Sequence, residues 1–158
     1  MKARVRTVIG STALVIAGTF IAPWEGKRNS AYVDIAGMLT VCYGHTGPDV
    51  HRGVWVTDEQ CKRLLNEDLA EALAVVTDSV TAPMSEPRKA GLASFIFNVG
   101  EAKFRRSTLR RMLNRGNPAA CDQLLRWIYV YDPVTDQYVI SESIRRRRIE
   151  ERELCLYE

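Results

Sequence analysis

The sequence has few of the residues that hold metal ions. It contains two histidines and four cysteines in 158 residues, and no two cysteines form a Cys-x-x-Cys pair. Zinc sites in proteins use closely spaced cysteine and histidine ligands. The pattern therefore argues against a zinc site, and nothing in it implies another metal or an organic cofactor.

The net charge is too small for a dedicated nucleic-acid binder. Twenty-two Lys and Arg residues against nineteen Asp and Glu residues give +3 at pH 7, which leans only mildly toward anionic partners such as cell-wall carboxylates. Internal repeats and low-complexity segments are also missing. With 158 residues, 46% of them apolar, the chain predicts one domain with a real hydrophobic core.

A strongly apolar run is missing as well, although one segment approaches membrane-spanning length. Lys2, Arg4 and Arg6 precede an uncharged stretch at residues 7–24, which as a helix would be about 27 Å long. Small and hydroxylated residues dilute its apolar content. Three interpretations compete: a cleaved signal peptide, a stable membrane anchor, and a weakly held anchor that can leave the bilayer.

We favour the weakly held anchor. Pro23 follows Ala22, where it would disfavour cleavage, and removal of the segment would leave Glu25 almost at a new terminus. Small and hydroxylated side chains lower the cost of leaving lipid, and the basic start should stay in the cytoplasm. The predicted organisation is an anchor at residues 1–24 and a folded domain at residues 25–158, outside the cytoplasm.

The folded domain is predicted to be mostly helical, with a small sheet near its start. Residues 32–33 and 39–43 are typical of short strands. The capping box Thr57-Asp58-Glu59-Gln60 begins a long amphipathic helix that extends to about Asp78. Ser85 can cap an apolar helix that Gly100 ends. Residues 132–136 predict a turn, and further helices are expected at about 107–115, 118–129 and 143–156.

Three residues on a short, turn-rich segment suggest glycosidic chemistry. Glu25, Asp34 and Thr40 supply two carboxyl groups and a hydroxyl group. Hydrolysis of a glycosidic bond needs one carboxyl group to protonate the leaving oxygen and a second group to orient water or stabilise charge on the sugar. The alternative is a solvated loop with two ordinary acids.

The spacing of these residues resembles a known family. Glu25, Asp34 and Thr40 follow the E-x8-D-x5-T pattern of the T-even-phage-like lysozymes, glycoside hydrolase family 24, and residues 42–46 (CYGHT) are similar to the GxGHT-like segment of that family. Asn98-Val99-Gly100 matches its NxG motif, and residues 146–151 match its RRRxxE motif. The likeness extends from about Pro23 to the C-terminus, and the N-terminal segment resembles the signal-anchor-release endolysins.

The resemblance implies a two-lobed, lysozyme-like α+β fold with a small N-terminal antiparallel sheet and a long connecting helix. It implies hydrolysis of the bond between N-acetylmuramic acid and N-acetylglucosamine, with Glu25 as the acid and with Asp34 and Thr40 positioning water. The expected partners are peptidoglycan, the bacterial inner membrane and, indirectly, a holin or pinholin. A monomer is expected, tethered on the periplasmic face, inactive there, and released into the periplasm.

Other site residues also follow from the resemblance. His45 is expected to form a structural ion pair with Asp68 on the long helix. Asn98 and Gly100 lie where the family contacts sugar, although an asparagine near a helix end can equally be a cap. One arginine of residues 145–148 is expected to approach Glu25; otherwise the run predicts a solvated helix face. His51 is expected on the surface.

The four cysteines permit two disulfides in three possible pairings, or four buried thiols if the protein stays in the cytosol. Export favours bridges, and our hypothesis pairs neighbouring elements, Cys42 with Cys61 and Cys121 with Cys155. The chain departs from the family at residues 131–144, which lack its loop glycines. Two rival functions stay open: an inactive, membrane-anchored wall-binding protein, and a nucleic-acid binder built on the arginine run.

Overall fold

The computed structural model describes residues 12–34 and 36–158, so the first part of the expected anchor lies outside the described residues. Helices dominate this part of the chain, with two small antiparallel sheets. In chain order the elements are α1 (Thr12–Ile21), β1 (Arg28–Val33), β2 (Leu39–Cys42), α2 (Asp58–Ser79), α3 (Glu86–Val99), α4 (Glu101–Arg106), α5 (Thr108–Asn114), a 3-10 helix (Ala120–Arg126), β3 (Tyr129–Asp132), β4 (Gln137–Ile140) and α6 (Glu142–Leu156).

The first sheet is the predicted one. Strands β1 and β2 are antiparallel, with Tyr32 opposite Thr40 and Val33 opposite Leu39. Asp34 therefore lies at the start of the connecting turn. Strand β1 begins at Arg28, earlier than the short apolar pattern indicated, and an isolated bridge from Ser30 to Trp55 extends the sheet.

Helix α2 joins two hydrophobic clusters. The hydroxyl of Thr57 accepts a hydrogen bond from the Gln60 amide, and the Gln60 side chain accepts one from the Thr57 amide, so the predicted capping box is present. Cys61 packs in a small cluster with the sheet, whereas Leu69 and Val76 lie in the large cluster of the helices. The expected long connecting helix is confirmed.

Helix α3 is the centre of the large cluster. Its residues 90–96 are all buried, and α1, α2 and α6 pack around it. The contact with α6 is especially close at Gly91, where an added Cβ atom would lie 2.8 Å from the carbonyl oxygen of Glu151 and 3.0 Å from Cβ of Leu154. Only a residue without a side chain fits here.

Helix α1 packs into the same cluster. Ala13, Ala17 and Ile21 recur at intervals of four residues and are buried, whereas Val15 on the outer side is 64% exposed. Small side chains let α1 approach its neighbours closely, and a Cβ atom added at Gly18 would lie 3.9 Å from Leu69. Among the described residues, no helix is both long and apolar enough to cross a membrane.

The region before α6 differs from the prediction. The helix expected at residues 118–129 is a short 3-10 helix, because its amides bond to carbonyls three residues back, as Ala120 does to Asn117. The predicted turn at 132–136 connects strands β3 and β4, which were not predicted. Helix α4 was also missed.

Candidate active site

Glu25 is positioned by the end of helix α1. The amides of Trp24 and Glu25 both donate to the carbonyl of Ile21, at 2.8 and 3.2 Å. These bonds continue the last turn of the helix, so Glu25 follows the buried stripe of Ala13, Ala17 and Ile21 at the same four-residue interval. The location of this carboxyl group therefore depends on the docking of α1 against the other helices.

A buried arginine holds the Glu25 carboxyl group. Nη1 of Arg147 donates to Oε1 of Glu25; the arginine side chain is 5% exposed and the glutamate side chain 21%. The glutamate lies in a pocket of about 270 Å³ that Lys27, Arg28 and Tyr32 also line. The surroundings of Glu25 are therefore cationic, and its side chain is only partly exposed.

Asp34 and Thr40 both donate a hydrogen bond to the carbonyl of Met38. Oδ1 of Asp34 accepts from the amides of Ala36 and Met38, at 2.9 and 2.8 Å. The carbonyl of Met38 accepts from the Asp34 amide at 2.9 Å and from the Thr40 hydroxyl at 3.1 Å. Oδ2 of Asp34 has no hydrogen-bond partner among the described residues, so it can accept from a bound water or sugar. Thr40 is buried.

A tight turn after β2 forms the middle of the cleft. Val41 and His45 exchange two backbone hydrogen bonds of 2.9 and 3.0 Å, and Gly44 between them has φ +84°. Gly44 lines both the Glu25 pocket and a second pocket of about 280 Å³. A Cβ atom at Gly44 would lie 3.7 Å from Oε2 of Glu25. Gly44, which has no side chain, therefore lies between the two pockets and lines both.

The predicted contact between His45 and Asp68 is present. Nδ1 of His45 lies 2.9 and 3.0 Å from the two carboxylate oxygens of Asp68, and Nε2 lies 3.3 Å from Asp49. Burial works to lower the pKa of His45, but hydrogen bonds and attraction from both aspartates outweigh it and raise the pKa. Burial raises the pKa of Asp68, against the attraction of His45. The pair ties the turn to α2.

Asn98 contacts protein in this structure. Its Oδ1 accepts from Nη2 of Arg148, and the C-terminal cap of α3 is Gly100, with φ +89°. The pocket beside the end of α3 is lined by Phe97 and Glu101. Contact of Asn98 and Gly100 with sugar stays a prediction.

The expectation of a solvated arginine run is wrong for half of it. Arg145 and Arg146 are exposed, but Arg147 and Arg148 are buried. Glu151 lies four and three residues after them on α6, so one buried carboxylate reaches both guanidinium groups. The sequence signal was this spacing of one acid behind two adjacent arginines.

The two disulfides are those of the hypothesis. Cys42 is bonded to Cys61 and Cys121 to Cys155, with Cα–Cα distances of 5.1 and 5.8 Å. The first bridge joins β2 to α2 beneath the cleft turn. The second joins the 3-10 helix to α6, the helix that carries Arg147.

The fold and the site together define a lysozyme-type glycosidase. The family described as phage lysozyme matches residues 22–151. The chain belongs to the phage lysozyme family and acts as an endolysin with peptidoglycan as its substrate class.

Relatives match almost the whole chain. A SAR-endolysin of Bacteriophage PS119 is 37% identical, over 99% of this chain and 95% of its own length. One of Bacteriophage PS34 is 41% identical, over 84% and 77% respectively. Among solved structures, the muramidase domain of SpmX from Asticaccaulis excentricus is 28% identical with a TM-score of 0.80, covering 95% of this chain and 98% of its own.

Proposed function

We propose that the protein hydrolyses the β-1,4 bond between N-acetylmuramic acid and N-acetylglucosamine in peptidoglycan, with Glu25 as the general acid. The observation that carries this proposal is the setting of Glu25. Its side chain is mostly buried, its carboxyl group is held by Arg147, and it lines a pocket that Gly44 also lines. A general acid must be held within hydrogen-bond reach of the leaving oxygen, and a carboxyl group fixed by Arg147 beside an open pocket supports this role.

The second half of the proposed mechanism uses Asp34 and Thr40. Bonds to two backbone amides fix the Asp34 carboxylate, while Oδ2 has no partner among the described residues and can orient a water. The Thr40 hydroxyl oxygen can accept from the same water. Attack by a water on the sugar face opposite Glu25 requires carboxyl groups roughly 6.5–9.5 Å apart and inverts the anomeric configuration.

The test of this mechanism is Glu25→Gln, which keeps the size of the side chain and removes the transferable proton. We expect the rate of wall lysis, followed by turbidity, to fall by about 10²–10⁴-fold. Glu150→Gln, at an exposed position on α6, is the matched control and should keep the wild-type rate. Wild-type activity in Glu25→Gln, or a retained anomer in the wild-type product, would contradict the mechanism.

We further propose that membrane tethering keeps the enzyme inactive. The support comes from α1, because the face that packs on α2 and α3 belongs to the segment expected in the bilayer. One helix cannot occupy both places. While α1 lies in lipid, Glu25 at its end is held at the membrane surface, away from Arg147.

Release then assembles the site. Loss of the membrane potential, as a holin or pinholin would cause, removes a force that retains the basic start inside, worth about 2.3 kcal/mol per charge per 100 mV. The weakly apolar segment can then leave the bilayer. Docking of Ala13, Ala17 and Ile21 brings Glu25 into the cleft, and the released enzyme acts in the periplasm.

Replacement of Gly10, Ser11 and Thr12 with leucine should lock the segment in the bilayer. Gly18 is left unchanged, because a larger side chain there would press on Leu69 in the docked form. We expect membranes that carry this variant to leave added peptidoglycan intact until detergent releases the protein. Val15→Leu, at an exposed position, is the control. Wild-type degradation by the intact variant membranes would exclude inhibition by tethering.

A further inference from the structure

Glu151 is a fully buried acid that the proposed mechanism does not use. Its side chain has no exposed surface. Its carboxylate contacts the guanidinium groups of Arg147 and Arg148, which lie earlier on α6 and are also buried. Burying an ionised carboxylate is costly unless hydrogen bonds and opposite charges compensate. The partners of Glu151 therefore indicate what the buried charge does.

The two oxygens of Glu151 have different partners. Oε1 accepts from Nε of Arg147 at 3.1 Å and from the Ser94 hydroxyl at 2.6 Å. Oε2 accepts from Nη1 of Arg148. Ser94 is itself buried on α3, so its hydroxyl fixes the carboxylate from a second helix.

Each nitrogen of the Arg147 guanidinium donates a hydrogen bond. Nε donates to Glu151, Nη2 donates to the carbonyl of Ser94 at 3.2 Å, and Nη1 donates to Oε1 of Glu25. A planar guanidinium with two fixed nitrogens has its third direction determined. Glu151 and Ser94 therefore aim the nitrogen that holds Glu25.

The charges of this cluster alternate. Arg147 contacts both Glu25 and Glu151, and Arg148 contacts Glu151. Glu25 faces Arg147 directly and shares its pocket with Lys27 and Arg28. Glu151 places a negative charge on the far side of Arg147, where it offsets part of the positive charge that faces Glu25.

We propose that Glu151, fixed by Ser94, is a positioning residue for the reaction: it orients Arg147 toward Glu25 and balances its charge. The inference rests on the proposed role of Glu25. The purely structural alternative is that the cluster only joins α3 to α6, in which case its loss would lower stability and leave the turnover of folded enzyme unchanged.

The test combines Glu151→Gln with Arg147→Lys in a double-mutant cycle. Glutamine keeps the shape of Glu151 and one hydrogen-bond acceptor. Lysine keeps the charge of Arg147 but loses the planar guanidinium with its several donors. We expect Glu151→Gln to lower kcat by about 10–100-fold, because small misplacements of catalytic groups are expensive, with KM within about twofold of the wild-type value. Rates are normalised to the folded fraction measured by circular dichroism.

The cycle distinguishes positioning through Arg147 from an independent effect. If Glu151 acts through Arg147, the kcat of the double variant should lie within about threefold of the kcat of the less active single variant. If the two residues act independently, the fold-reductions in kcat multiply. Asp122→Asn, which removes the exposed partner of Arg152 on the same helix, is the control and should keep the wild-type kcat. Multiplying effects, or an unchanged kcat in folded Glu151→Gln, would overturn the proposal.

A milder variant covers the case in which Glu151→Gln does not fold. Ser94→Ala removes the hydrogen bond to Oε1 and leaves both charges in place, and we expect it to lower kcat by about 3–10-fold at unchanged KM. A wild-type kcat in Ser94→Ala would then overturn the proposal. Failure of the proposed function differs visibly, because Glu25→Gln would then keep the wild-type rate of wall lysis.

Discussion

The protonation of His45 is coupled to the stability of the fold. Attraction from Asp68 and Asp49 raises its pKa above the ordinary value of 6.5. A group with a raised pKa in the folded state stabilises that state while it is protonated. The contribution is therefore present below about pH 6.5 and is lost as the pH rises through the higher folded value.

We predict that the melting temperature falls as the pH rises from about 6 to 9, and that His45→Gln reduces this dependence. The pair is only partly buried, so we expect the difference to be a few degrees in a chain of this size. His51→Gln, at an exposed position, is the control. Equal pH dependence in the wild type and in His45→Gln would show that another group is responsible.

At the same scale, several residues of the candidate site were predicted from the sequence and others were not. Glu25 and Asp34 stood out because two acids and a hydroxyl followed a recognisable spacing. The burial of Arg147 and Glu151 was not predicted, since arginine runs are usually solvated and helical spacing alone does not say which side faces a neighbour. The role of Asn98 as an acceptor for Arg148 depends on the same packing.

At the scale of elements, helices with strong local signals were predicted well. Helix α2 has a capping box and a long apolar period, and α3 has a serine cap and a terminal glycine. The turn of the β3–β4 hairpin was predicted and its strands were not, although both are rich in tyrosine, valine and isoleucine, which favour strands. Most of these side chains are exposed, so neither strand has the alternation of buried apolar and polar residues that marks a half-buried strand.

The 3-10 helix shows a different limit. Its sequence is compatible with an α-helix, and the tighter hydrogen bonding is a result of tertiary contacts. Cys121 within it is bonded to Cys155, and Leu124 is buried in the large cluster. Contacts with distant elements can override a weak local preference.

At the scale of the whole molecule, the two disulfides close different parts of the structure. One bridge spans 19 residues and fixes the sheet to α2, and the other spans 34 residues and fixes the 3-10 helix to α6. Bridges of this length each contribute about 2–4 kcal/mol, mainly by restricting the unfolded chain. They persist in an oxidising compartment, which agrees with a protein that acts outside the cytoplasm.

We predict that replacing Cys121 and Cys155 together with serine lowers the melting temperature by roughly 5–15 °C. The pair Cys42→Ser with Cys61→Ser should have a similar or smaller effect, since its loop is shorter. Thermal unfolding without reductant measures both. A decrease below about 2 °C for the first pair would show that the bridge adds little to the fold.

The close approach of α3 and α6 limits how this enzyme can be improved. Exchanging a glycine inside a helix for alanine is a common way to gain about 1 kcal/mol. At Gly91 that gain is out of reach, since the new methyl group would meet the backbone of α6 at 2.8 Å. The same carbonyl belongs to Glu151, so any shift that made room would move the charge cluster beside Glu25. A library designed for heat-resistant antibacterial enzymes should therefore leave codon 91 fixed and search the exposed faces instead.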